Sequence, residues 1–71
     1  MKKTKEINVI ESNTSNCFRV TLDGIDIVNP FNFKNFDEKE SYRRIAKACA
    51  FDEILRQQSN GFKTLISYNA F

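Results

Sequence analysis

Between Asp37 and about Gln58 the sequence reads as one long helix that is apolar on two opposed sides, and this dictates how the rest of the chain must be arranged. At about 100° per residue, Tyr42, Ile45, Ala46 and Cys49 share one side, while Phe51, Ile54 and Leu55 fall on roughly the opposite one. A sheet packed on a helix covers only one of its sides. Three arrangements would answer for the other. The helix breaks near Phe51-Asp52, with Asp52 capping a second segment; the C-terminal segment or a loop covers the second side; or that side is exposed and binds a partner or a second copy. With 71 residues the chain has room for one small domain, 1–71, with one core and residues 1–4 frayed.

The pieces available to pack on that helix are strands. Residues 4–11 alternate imperfectly, with Ile7 and Val9 on one side, and Ser12 to Asn16 is a polar turn cluster. Cys17 to Leu22 and Ile25 to Val28 alternate on either side of Asp23-Gly24, a pair suited to a two-residue turn with positive φ at both positions. That turn sets Leu22 against Ile25 and Thr21 against Asp26. It places Phe18, Val20, Leu22, Ile25 and Ile27 on one buried face, with Arg19 and Asp26 diagonal on the other. Asn29-Pro30 interrupts the strand, and Phe31, Phe33 and Phe36 anchor a short further strand or a packed loop. Asp37 is the expected N-cap, paired with Glu40 as a capping box, and Ser59-Asn60-Gly61 is the expected stop. Phe62 to Tyr68 alternates as a closing strand. The order β-β-β-α-β predicts an α+β domain: an antiparallel sheet of three to four strands with one long helix packed across it.

Composition removes several kinds of chemistry. The chain has no histidine, so no imidazole base or ligand exists, and Cys17 and Cys49 lack the partner a cysteine nucleophile needs. The two glycines, Gly24 and Gly61, both sit at turns, so no glycine-rich phosphate loop is formed. No CxxC pair points to zinc. The carboxylates at Asp37, Glu38 and Glu40, and at Asp52 and Glu53, suit capping and solvation. The expectation is a non-enzyme without cofactor or metal. The polar start, the unpaired cysteines and the lack of a spanning apolar run predict a cytoplasmic chain that does not enter a membrane. A net charge of +2, from 11 Lys and Arg against nine Asp and Glu, is too mild to announce nucleic-acid binding.

What remains is binding. Phe51, Ile54 and Leu55, with Arg44, Lys47 and Gln58 alongside, form an apolar patch with a basic edge, the composition of an interaction site. The runs Cys17-Phe-Arg-Val-Thr-Leu-Asp-Gly24 and Asp37-Glu-Lys-Glu-Ser-Tyr-Arg-Arg-Ile-Ala-Lys-Ala-Cys-Ala50 resemble, in architecture, small phage-encoded inhibitors of bacterial defence, anti-CRISPR proteins among them. The resemblance implies a small protein-binding inhibitor or adaptor that blocks the nucleic-acid-binding surface of a larger host protein or nucleoprotein complex. Asp23, Asp26, Glu38 and Glu40 would then meet basic groups on the target, with Phe51, Ile54 and Leu55 as anchors. The hairpin together with Phe33-Lys34-Asn35-Phe36-Asp37-Glu38 is also similar to AP2-type and integrase arm-binding domains, which lay a sheet in the major groove. The departure is that the corresponding face here offers Arg19, Thr21 and Asp26, where Asp26 repels phosphate. The third expectation is a homodimer joined through the second helix side.

Overall fold

The computed structural model describes residues 3–71 and leaves Met1 and Lys2 undescribed. It contains β1 (Thr4–Ser12), β2 (Cys17–Leu22), β3 (Ile25–Asp26), β4 (Phe31–Asn32), α1 (Phe36–Ser59) and β5 (Lys63–Ala70). The class is α+β, one long helix across a sheet.

Local turn chemistry sets the first half. Asp23 and Gly24 have φ of 50° and 88°, the left-handed pair that matches strand twist. Leu22 pairs with Ile25 and Thr21 with Asp26. Beyond Asn29-Pro30 the chain resumes along the same edge of β2, with Cys17 opposite Asn32 and Phe18 opposite Phe31. Thus β3 and β4 are successive pieces of one interrupted strand. Ile25 departs from expectation: it shares the side of Leu22 but lies at the sheet's end and is 72% exposed. Of the three phenylalanines after Pro30, Phe33 is buried and Phe31 half-buried, while Phe36 is exposed.

The sheet order is β3-β2-β1-β5, with β4 also on β2. The first four strands pair antiparallel, and β5 runs parallel to β1. Counting reversals explains the parallel pair: β4 runs with β1, α1 carries the chain back, and β5 sets out again in the direction of β1. The fraying expected for residues 1–4 falls partly on Met1 and Lys2, outside the described residues. Lys3 and Thr4 are tied down, since the Lys3 carbonyl accepts the Lys63 N–H at 3.0 Å and Thr4 opens β1.

The core lies between α1 and the β1–β2 pair: Ile7, Val9, Phe18, Val20, Phe33, Ala46 and Ala50. Alanines at the contact let the helix backbone come close to the sheet. The helix is unbroken from Phe36 to Ser59, so the break expected at Phe51-Asp52 is absent. Its N-cap is Asn35, not Asp37. The Asn35 Oδ1 accepts the Glu38 N–H and the Glu38 carboxylate accepts the Lys34 N–H, both at 2.9 Å. Two overlapping pairs, Asn35/Glu38 and Asp37/Glu40, have the same three-residue spacing. The upstream pair is used, and Asp37 instead sits in the first turn, where the helix dipole favours it. Asn35→Ala is therefore expected to cost about 1 kcal/mol and Asp37→Ala only a few tenths, by urea denaturation. At the other end, Gly61 at φ 88° lets the Phe62 and Gly61 N–H groups return to the carbonyls of Gln57 and Gln58. No helix among the described residues is long and apolar enough to cross a membrane.

Candidate interaction site

The inner stripe of α1 is Ala46, Ala50, Glu53 and Gln57, all buried, with Tyr42 and Cys49 half-buried beside it. Centring the stripe there moves two isoleucines from their expected sides. Ile54 lies about 80° from Ala46 and packs against the core. Ile45, about 100° away on the other margin, is exposed. Phe51 and Leu55 stay on the outer flank, 60% and 62% exposed.

That flank borders β5. Because β5 pairs in parallel with β1, Ile66 stands beside Ile7 and Tyr68 beside Val9, so both side chains face α1. Val9, Lys47, Phe51, Ile66, Ser67 and Tyr68 line a groove of about 390 Å³ between helix and strand. The Lys47 ammonium lies 5.4 Å from the centre of the Tyr68 ring. Leu65, Ile66, Tyr68 and Phe71 are large apolar groups left exposed along β5 and just past it. The C-terminal segment thus flanks Phe51 without covering it.

One end of the groove is fixed by a charged cluster that the sequence reading did not single out. Glu11, 4% exposed, is in phase with Ile7 and Val9, so its carboxylate points inward. It accepts from Arg43 Nη2 and Nε at 3.0 and 3.2 Å, from Asn13 Nδ2 at 3.0 Å and from the Tyr68 hydroxyl, with the Lys39 ammonium at 3.4 Å. Burial opposes its charge. The bonds from Tyr68, Asn13 and Arg43 outweigh burial and lower its pKa from 4.5 to about 2. Burial and the neighbouring Glu11 carboxylate push the Tyr68 hydroxyl up. Arg43 Nε also donates to the Tyr68 oxygen at 3.1 Å, and Nη1 to Glu40. The cluster holds the Tyr68 hydroxyl through two partners, Glu11 and Arg43, and so orients one wall of the groove. On the other margin of α1, beside Ile27, Val28 and Cys49, Gln57 Nε2 donates to buried Glu53 at 2.6 Å, and Arg56 pairs with Glu53 at 3.1 Å.

The acidic residues expected to join this patch do not converge on it. Asp23 sits on the β2–β3 turn, accepting the Glu6 N–H at 2.9 Å near Lys5 at 3.6 Å. Asp26 holds Arg19 by two bonds, 3.0 and 3.2 Å, on the sheet face away from α1. Glu38 is spent on the cap and Glu40 on Arg43. Arg44 is exposed on the outer flank and Lys47 lines the groove. The Arg19–Asp26 pair also engages the arginine on which a nucleic-acid-reading face would have relied. Among the described residues no group of three or more His, Cys, Asp or Glu is placed to hold a metal ion. No protein-family model, curated protein or solved structure matches this chain.

Proposed function

We propose that this chain is a non-catalytic protein-interaction domain, an inhibitor or adaptor whose contact surface is the outer flank of α1 together with β5. One observation carries the reading: Phe51, Ile66 and Tyr68 are exposed around one groove between helix and strand, with Leu55 exposed one helical turn beyond Phe51. Large apolar side chains gathered on one face of so small a domain mark a contact site, and aromatic anchors with a basic neighbour are the usual sources of binding energy. The inhibitor form of the proposal, covering a nucleic-acid-binding surface on a larger complex, rests on this apolar surface more than on the acidic residues, which are engaged within the chain.

The test is a paired affinity capture with the parent chain and Phe51→Asp/Leu55→Asp, followed by titration of the purified partner. Both side chains point outward, so the thermal midpoint should move by only what about 0.5 kcal/mol per site allows. Affinity should fall about 100-fold or more, as for loss of two anchors. An unfolded double variant would mean that the flank is core, and unchanged affinity would place the contact elsewhere.

A further inference from the structure

The edge of β5 narrows what can sit on this surface. It is the outer strand of the sheet, eight residues long and free of proline, without most of the devices that protect such edges. Its bonding to β1 fixes which amides point out. Lys63 N–H donates to Lys3, Phe71 N–H donates to Glu11, and the Phe71 carbonyl accepts from Asn13. Backbone groups alternate sides along a strand. Odd-numbered residues therefore bond inward, and Thr64, Ile66, Tyr68 and Ala70 present their N–H and C=O groups outward. Such a row is satisfied by another extended strand.

We propose that this strand is β5 of a second copy, paired antiparallel about a two-fold axis at Ser67; this rests on the reading of the surface given above. The axis at Ser67 sets Ile66 against Tyr68 of the second copy and Thr64 against Ala70 of the second copy. All four outward residues of both strands are then bonded. Shifting the axis to Ile66 or Tyr68 leaves an outward residue at the end of β5 without a partner inside the strand. A two-fold axis across an antiparallel edge is perpendicular to the sheet, so both helices lie on one face with their β5-side flanks turned toward each other. Phe51 shares its groove with Ile66, Ser67 and Tyr68, so it sits level with the axis and faces Phe51 of the second copy.

Charge placement agrees with this register. The helices run antiparallel across the axis, so Lys47 comes opposite Leu55 of the second copy and Arg44 opposite Gln58. The two Lys47 side chains are offset by about 12 Å along the helix direction, eight residues at 1.5 Å each, farther than the screening length of about 8 Å at physiological salt. Apolar groups meet at the centre and like charges are kept apart.

Sedimentation of the parent chain is expected to show a dimer. In a Cys17→Ser/Cys49→Ala background, Ser67→Cys should convert almost fully to a disulfide-linked dimer under mild oxidation, since residues directly opposite in an antiparallel pair lie about 5 Å apart at Cβ. Leu65→Cys on the same sheet face should not, because its equivalents are then about 14 Å apart along the strand. A monomer at millimolar concentration overturns the proposal, and so does equal cross-linking at both positions. If the parent is monomeric but Phe51→Asp/Leu55→Asp still abolishes capture of a different protein, self-pairing is wrong while the interaction reading stands. Loss of neither association in that variant would remove the interaction reading itself.

Discussion

Phe18→Ala is expected to remove about 3–5 kcal/mol of stability, from a total of roughly 4–10 kcal/mol for a domain of this length. Phe18 is fully buried at the meeting of β1, β2 and β4. Its ring centre lies 5.4 Å from that of Phe33 and 6.0 Å from that of Phe31, which meets Tyr42 edge-on at 5.6 Å. These rings connect the sheet to the first half of α1. Removing the central one leaves a cavity that Phe31 and Phe33 cannot fill without abandoning their own contacts. Urea denaturation followed by circular dichroism should show a large fall in midpoint with an unchanged slope. A loss under about 1 kcal/mol would mean that the core lies elsewhere.

The second large effect depends on pH. Glu11 has a folded pKa of about 2 against an ordinary 4.5, so the folded state binds the proton less readily than the unfolded state. Its contribution is fully present above about pH 4.5 and is lost as pH falls toward 2, amounting to roughly 3 kcal/mol. Tyr68 acts in the opposite sense. Its raised pKa gives stability that is present below its ordinary value and lost as pH rises through the folded one. Glu11→Gln removes the charge that Arg43 and Lys39 face. It should cost about 2–3 kcal/mol at neutral pH, much less near pH 2, and flatten the acid limb of the stability profile. A variant as acid-sensitive as the parent would place the controlling carboxylate elsewhere.

What was legible in the sequence was what neighbours in the chain decide. Asp23-Gly24 fixed its own turn and register, and Arg19 and Asp26 met as their diagonal placement required. Gly61 ended the helix because only the left-handed backbone closes its last carbonyls. The N-cap was harder, because Asn35/Glu38 and Asp37/Glu40 carry the same local signal, and burial of Phe33 just upstream accompanies use of the first. The parallel pairing of β5 was not legible from alternation, since it follows from the number of reversals before it. At the candidate site, Phe51 and Leu55 were found by helical angle alone. Ile54 was misplaced because the packed stripe centres on two alanines and two polar residues, which hydrophobicity does not flag. Glu11 had a readable signal: it follows Ile7 and Val9 at even spacing, so a charge stood at an inward position.

Amide hydrogen exchange along β5, residue by residue, separates the edge described here from a covered one. In the dilute free chain Leu65, Ser67 and Asn69 should be protected by β1, while Ile66, Tyr68 and Ala70 exchange freely. When the chain associates, with its own copy or another protein, protection should spread to those even-numbered amides. Free exchange at Ile66 and Tyr68 in the fully associated state would contradict the account, as would protection of both in the dilute monomer.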